Sequence, residues 1–274
     1  MSIVTAYVSG NSVHNRVIEA FAEGAGALLL PFDRYRPGDV AIVFGVRKER
    51  VPVSWPRGEI IHRQREAGGR VLILETGYLR RGDGPGDHYA AGWNDLNGRA
   101  DFRNLASPAD RWEKLAMELK PWREKGEHVL VCGQVPWDAS VQHHDHIGWC
   151  QSIMAKLMRL TKRPIVFRPH PKVPNVNYGV LGTRVSRETL ADDLRDCHAV
   201  VTFNSNAAVE AAIAGVPVFA FDAGSMALPI ANQDLGLIEE PVMPDRGQWL
   251  SDLAYCQWSL DEFRRGLAWQ HLTR

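Results

Sequence analysis

Apolar positions along the chain follow two alternating periods. Residues 3–8, 27–30, 40–44 and 71–74 are short apolar runs rich in β-branched side chains, and each reads as a strand. Between the first two, residues 14–24 place Val17, Ile18 and Phe21 at helical spacing. The same rhythm restarts past residue 126, with strands expected over 129–132, 165–167, 199–203 and 218–221. The helices expected there cover 147–160, with Ile153, Leu157 and Leu160 on one stripe, then 186–195 and 207–214. Ser186 is placed to cap the second of these, and Gly215 and Pro217 stop the third. Residues 248–272 read as a long helical region. Strands alternating with helices imply parallel pairing and an α/β sheet.

The two series share this rhythm without a sequence repeat. A chain of 274 residues suits two domains. The charged, proline-containing stretch 120–127 is the best linker, giving domains over 1–122 and 127–247 and a terminal segment over 248–274. Residues 82–104 are glycine-rich without a period, and a loop of that length is functional or mobile. The formal net charge of +0 gives no sign of tight nucleic-acid binding, although a local basic groove fits a neutral protein. Four cysteines without CxxC spacing read as reduced thiols. Residues 1–10 lack the pattern of a signal peptide, and no apolar run approaches the roughly 20 residues that span a bilayer. A soluble cytoplasmic protein without membrane insertion is expected.

The strongest chemical signal is Arg168-Pro169-His170-Pro171-Lys172. It follows a strand, so it lies at a carboxyl edge, where open α/β sheets bind ligands. Arg168 and Lys172 suit phosphate oxygens, His170 can donate to a leaving group, and the prolines stiffen the turn. A rigid basic surface loop is the plainer reading. The second signal is Phe203-Asn204-Ser205-Asn206-Ala207-Ala208-Val209-Glu210, a buried strand running through a polar turn into a helix. A helix start offers backbone N–H groups to an anion, Ser205 and Asn206 add donors, and Glu210 can accept from ribose hydroxyls. The plainer alternative makes Ser205 or Asn206 an N-cap and Glu210 a solvated residue. Gln134, in Gly133-Gln134-Val135-Pro136-Trp137-Asp138, belongs at the same edge and can meet phosphate or sugar.

The stretch from Arg168 to Lys172, taken with Leu190, Leu194 and residues 199–219, resembles the nucleotide-sugar half of GT-B glycosyltransferases. It is most similar to the Kdo-transferase and capsule-polysaccharide group, over about residues 129–222. The resemblance implies two Rossmann-like domains with parallel sheets facing across a cleft, and a C-terminal helix packing back on the first domain. It also implies that His170 and the Ser205 turn contact donor phosphates and that Glu210 contacts the ribose. A UDP- or CMP-linked sugar is then the co-substrate, with no further cofactor. Glycerophosphotransferases of teichoic-acid synthesis have a similar turn but carry Ser-Ser where this chain has Ser205-Asn206.

An inverting transfer needs a base for the acceptor hydroxyl, and Glu75, Asp95 and Asp101 are the candidates. The segment from Gly92 to Phe102 resembles a stretch of uncharacterised phage-encoded proteins. That likeness points to hydroxymethylated pyrimidine in DNA as acceptor, in a host cytoplasm, with Arg99 on phosphate and Trp93 or Tyr89 stacked on a displaced base. Pairing of the loop's arginines with Asp83, Asp87, Asp95 and Asp101 is the plainer account. The run His143-His144-Asp145-His146 is spaced too tightly for one metal and reads as a polar helix start, so metal-independent turnover is expected. Gly82–Gly86 lack the following Lys-Ser or Lys-Thr of a P-loop, and Gly10 does not complete GxGxxG. A capsule-type sugar transferase, a nucleotide-sugar epimerase and a CDP-alcohol phosphotransferase remain alternatives to transfer onto DNA.

Overall fold

The computed structural model describes residues 2–46, 56–81, 87–180 and 182–274. The glycines at 82–86 lie outside the described residues, so the P-loop reading and that part of the proposed acceptor loop do too. The chain forms two compact units, Met1–Lys114 with Leu250–Arg274, and Leu115–Trp249. Both are α/β, one on a mixed sheet and one on a parallel sheet.

The first unit runs β1 (Val4–Val8), α1 (Ser12–Ala25), β2 (Leu28–Pro31), β3 (Val40–Phe44), α2 (Pro56–Glu66), β4 (Arg70–Thr76), β5 (His88–Trp93) and α3 (Asp110–Leu115). Asn11 caps α1, its side chain accepting from the N–H groups of Val13 and His14, and Gly26 ends it in the left-handed conformation. Four strands, in the order β2-β1-β3-β4, are parallel. Successive residues point to opposite faces, and both faces are covered. Ala6, Ile42, Leu72 and Leu74 face one cluster with Val17, Ile18 and Phe21 of α1, while Tyr7, Val43 and Ile73 face Ile60 and Ile61 of α2.

Two differences from the sequence reading matter. Residues 88–93 are not loop: β5 pairs antiparallel with β4, with Tyr89 opposite Thr76 and Trp93 opposite Leu72. The terminal segment is not one helix either. After the second unit the chain continues as α7 (Gly247–Ala254), β11 (Gln257–Ser259), α8 (Leu260–Arg264) and α9 (Leu267–Leu272). Gln257 and Trp258 are buried, and β11 adds to the sheet beside β5. Ser259 opens α8 with a capping box completed by Glu262. Gly266, at φ 72°, separates α8 from α9. A Cβ on Gly24 would run into the backbone carbonyl of Phe263, so only glycine lets α1 approach α8 this closely.

The second unit runs β6 (His128–Cys132), α4 (His146–Leu160), β7 (Ile165–Arg168), β8 (Arg184–Val185), α5 (Leu190–Asp193), β9 (Cys197–Thr202), α6 (Ala207–Ile213) and β10 (Val218–Ala220), before α7. Its five strands are all parallel, in the order β10-β9-β6-β7-β8. Counted within the unit this is 5-4-1-2-3, the doubly wound order, with its switch point between β6 and β9. The stretch 120–127, expected as linker, is tied into this unit. Lys120 N–H donates to Ile213 O (3.0 Å), Arg123 N–H to Gly215 O (2.6 Å) and Trp122 Nε1–H to Pro244 O (2.8 Å). Ser186 does not cap α5; Thr189 does, and the Ser186 hydroxyl donates to the Asp193 carboxylate. No helix among the described residues is long and apolar enough to cross a membrane.

The C-terminal segment is locked by a largely buried ion pair. Arg111 reaches both oxygens of Glu262 (2.7 and 3.1 Å), donates to Gln257 O (2.8 Å) and stacks on Trp258. Burial alone would raise the Glu262 carboxyl. The Arg111 hydrogen bonds, the Ser259 N–H and the Arg111 charge outweigh it and hold the group at about 2. A depressed carboxyl stabilises the fold above its unfolded value near 4.5, and this contribution is lost as pH falls from there toward about 2. Glu262→Gln is therefore expected to cost about 3–5 kcal/mol at neutral pH by leaving Arg111 unpaired. Urea unfolding checks this: the gap between variant and wild type should close between pH 4.5 and pH 2, and a gap constant with pH contradicts the account.

Candidate functional site at the carboxyl edge of the second sheet

The four longer strands of the second sheet end in register. Ala220 lies beside Thr202, Thr202 beside Cys132 and Cys132 beside Arg168. Two residues beyond this row each chain carries a polar side chain: Asp222, Asn204, Gln134 and His170. The edge at the switch point is therefore a row of hydrogen-bonding groups, where doubly wound sheets take their ligands.

Three of these groups bind one another. Gln134 Nε2–H donates to Asn204 Oδ1 (2.7 Å), and Asn204 N–H returns a bond to Gln134 Oε1 (3.1 Å). Asn204 Nδ2–H donates to Asp222 Oδ1 (2.6 Å) and to Ser140 O (2.9 Å). Asp222 also accepts from Gly224 N–H (2.9 Å), and its Oδ2 meets His143 Nε2 at 3.0 Å. Tyr178 O–H donates to Gln134 O (2.6 Å), and Gln134 N–H donates to His146 Nε2 (2.9 Å). Gln134, Asn204, Asp222 and His146 are all buried. Sequence reasoning gave Gln134 to the donor; in the structure its amide exchanges bonds with Asn204. Asn204 and Asp222 were not singled out, although each is the first polar residue after a buried strand and one aromatic residue.

The turn from Arg168 to Lys172 is built differently from the expectation. Arg168 Nη1 donates to Asp193 Oδ2 (2.7 Å) and to Glu188 O, and Asp193 is buried. The guanidinium thus ties the end of β7 to α5 and its charge is matched internally. His170 Nδ1 accepts from Lys172 N–H (3.1 Å), so a neutral ring carries its proton on Nε2. His170 O accepts from Val173 N–H (2.9 Å), closing the turn, and Lys172 is exposed.

At the β9 to α6 junction, Ser205 N–H donates to Thr202 Oγ1 (3.2 Å). Ala207 N–H donates to Ser205 Oγ (3.2 Å) and Ala208 N–H to Ser205 O (3.1 Å). Two of the first N–H groups of α6 are thus engaged by Ser205, while Asn206 at the N-cap position makes no side-chain capping bond. Asn206 Nδ2–H donates to Glu210 Oε1 (3.3 Å). Glu210 is exposed and lines a cleft of about 350 Å³ between α5 and α6. Leu190, Ala191, Leu194 and Ala214 form its apolar walls, and Lys120, Arg123 and Arg195 add positive charge.

The acceptor-side candidates of the first unit separate. Glu75 is the penultimate residue of β4, at the carboxyl edge, and accepts from Thr76 N–H (2.9 Å). A Cβ on Gly45 would lie 3.3 Å from Glu75 Oε2 and 3.1 Å from Arg57 Nη1, so the carboxylate sits beside the end of β3 and a guanidinium. Asp95, Arg99 and Asp101 follow β5, whose Trp93 end lies against Leu72, the opposite end of β4 from Glu75. Asp101 is exposed and pairs with Arg103 at 3.2 Å. Trp93 and Tyr89 are each 1% exposed. Arg70 covers the Trp93 ring and Leu272 O accepts its Nε1–H, while Arg16 donates to the Tyr89 hydroxyl. Both rings belong to the core and leave no face for a base. The antiparallel β5 is the physical reason, since it carries both rings into the sheet, Tyr89 opposite Thr76 and Trp93, with the residues that follow it, at the Leu72 end.

The histidine run divides in the same way. His143 meets Asp222, His144 stacks on Phe203 and His146 opens α4, which Asp145 caps. Among the described residues no group of three or more His, Cys, Asp or Glu side chains is placed to hold a metal ion. Burial, with His144 adding and Asp145 opposing, lowers His146 from 6.5 to about 4. The unfolded chain then binds a proton that the folded one refuses, so stability falls as pH drops from about 6.5 to about 4 and not above that window. Nuclear magnetic resonance titration should find the His146 ring neutral at pH 5, with its proton on Nδ1; titration near 6.5 contradicts the buried acceptor role.

No family model matches the chain, and no curated protein matches it in sequence. Solved structures do match in fold. The KpsC β-Kdo 2,4 transferase of Thermosulfurimonas dismutans aligns at 14% identity and a TM-score of 0.61, over 93% of this chain and 91% of that one. The KpsC β-Kdo 2,7 transferase of the same organism aligns at 16% identity and 0.58, over 99% of this chain and 100% of that one. At such identities the likeness is one of fold, and both neighbours are transferases.

Proposed function

We propose that this protein is a GT-B glycosyltransferase that takes a sugar from a nucleotide donor held on its second unit. One observation carries the reading: the cleft that Glu210 lines is built from the two helices that follow His170 and Ser205 in the chain. Its apolar walls suit a nucleobase and its carboxylate suits ribose hydroxyls. The phosphates then fall to His170, Lys172 and the Ser205 hydroxyl at the carboxyl edge. As the sugar leaves, negative charge gathers on the nucleotide, and these groups stabilise it without a divalent metal. Arg168 and Gln134 hold the turn and the edge in place.

We take the acceptor to be a saccharide hydroxyl, with Glu75 as its base. The fold neighbours act on Kdo, and the chain covers nearly all of both. A hydroxymethylated pyrimidine in DNA was motivated by Arg99, Trp93 and Tyr89, two of which are core residues. Labelled CMP-Kdo and UDP-glucose offered with Kdo-bearing oligosaccharide, hydroxymethylated DNA, or no acceptor distinguish the readings. Transfer to oligosaccharide, unaffected by chelator, is expected. Transfer to DNA alone, or a converted sugar released without acceptor, contradicts it.

Losing a hydrogen bond to a charged group costs about 1.5–3 kcal/mol. Glu210→Gln and His170→Ala are each expected to weaken nucleotide binding roughly 10- to 100-fold while leaving thermal unfolding unchanged. Calorimetric titration with CMP and UDP checks this, and wild-type affinity in both variants refutes the donor site.

A further inference from the structure

We infer that Arg57 is the positioning residue of the acceptor base, fixing the Glu75 carboxylate in the gap left by Gly45. The inference deepens the reading above and rests on its assignment of Glu75. Gly45 N–H donates to Leu74 O (2.7 Å), one step past the pairing of Phe44 with Leu74, so Gly45 continues β3 beside Glu75. On the other side Ala90 of β5 lies opposite Glu75. Level residues of neighbouring strands point to the same face, so the carboxylate is flanked by a glycine and a methyl group.

That face is the one α2 covers. Glu75 is two residues past Ile73, which packs with Ile60 and Ile61 of α2. Arg57 lies in the first turn of the same helix. A cation there opposes the helix dipole, so helix stability does not account for it. Its guanidinium lies instead against the end of β3. A Cβ on Gly45 would stand 3.1 Å from Arg57 Nη1 and 3.3 Å from Glu75 Oε2, so both groups converge on one point. Gly45 itself is at φ 69°, where a side chain is strained. Glu75 Oε1 accepts from Thr76 N–H (2.9 Å) and from the Thr76 hydroxyl (3.3 Å). The carboxylate is thus held by its own strand through Oε1 and turned toward Gly45 and Arg57 through Oε2.

A base has to be ionised and aimed before the acceptor arrives. A fixed guanidinium meets both needs: its charge favours the carboxylate form, and its planar donors restrict rotation of the group. As the acceptor oxygen bonds to the anomeric carbon, its proton passes to Glu75. The bond from that carbon to the donor phosphate breaks, and its electron pair leaves with the nucleotide. Arg57 acts in this step through Glu75. Of the groups beside Glu75, Gly45 and Ala90 do not titrate. The Tyr78 phenol, past β4, is held well above the usual tyrosine range, first by burial and then by Cys256 and Glu75, so it stays neutral.

The full chain is assayed across pH with CMP-Kdo and with UDP-glucose as donors to Kdo-bearing oligosaccharide. Arg57→Gln is expected to lower kcat roughly 10- to 100-fold at neutral pH and to leave the KM for the donor unchanged. The acid limb of its kcat profile should lie at higher pH than in wild type, because a carboxylate that loses a neighbouring cation protonates more readily. Arg57→Lys keeps the charge and should return the acid limb toward its wild-type position. Carbon-13 magnetic resonance of the Glu75 carboxyl, assigned with Glu75→Gln, reads the same shift without turnover. Wild-type kcat, an unmoved acid limb or an unmoved Glu75 titration in Arg57→Gln each overturn the inference. A lower kcat that comes with a lower melting temperature and is not recovered by Arg57→Lys makes Arg57 a structural residue and overturns it too. Wild-type turnover in Glu75→Gln, or no transfer by the wild type, refutes the reading above first, and this inference falls with it.

Discussion

Gln134 and Asn204 exchange hydrogen bonds across the ends of β6 and β9, and the rest of the edge hangs on that exchange. At a switch point the two chains leave the sheet toward opposite faces, so their loops diverge and their backbone groups lose ladder partners. The paired amides close the gap. They then pass the connection to Asp222 beyond β10 and, through Ser140, to the loop carrying Trp137. Gln134, Asn204 and Asp222 are buried, so an unmade bond there would cost the desolvation of a polar group. The network is thus strong because it is complete, and it fixes the loop positions on which any ligand contact depends.

A second consequence is the division of charge. Arg168 stands at the carboxyl edge by sequence position, yet Asp193 neutralises it and Glu188 O takes a further bond. Its ordering cost is spent on the wall that Leu190, Ala191 and Leu194 give the cleft. That leaves Lys172 as a cationic candidate at the edge and His170 as a neutral N–H donor. The turn itself aims His170, because Lys172 N–H occupies Nδ1 and commits Nε2 as the donor.

The sequence was most legible where one period ran uninterrupted. The strands over 40–44, 129–132 and 199–203 and the helix over 147–160 lie within a residue or two of their expected bounds. The edge motifs after β7 and β9 were also recoverable, because a polar cluster following a buried strand marks a carboxyl end. What failed depended on pairing. Residues 88–93 contain two glycine- and alanine-rich steps and read as loop, but two neighbouring strands supply their hydrogen bonds. Likewise Gln257 and Trp258 fit a helical stripe and adopt a strand because β5 offers an edge. Local propensity does not encode a partner far along the chain. The consumption of Arg168 by Asp193 was hidden for the same reason.

That late pairing also bears on the acceptor side. Gln257 Oε1 accepts from Tyr78 N–H (2.6 Å) and Leu79 N–H (2.9 Å), the backbone that follows Glu75 and Thr76. Gln257 O is in turn held by Arg111, which Glu262 anchors. The C-terminal segment therefore does more than fill a sheet edge: it sets the path of the chain immediately past the one candidate base at the carboxyl edge of the first unit. Each unit thus fixes its carboxyl edge with a buried amide side chain that bonds to backbone, Asn204 in one and Gln257 in the other. In the first unit that amide arrives only when residues 250–274 have been added. Placement of the backbone past Glu75 thus depends on a segment distant from it in the chain.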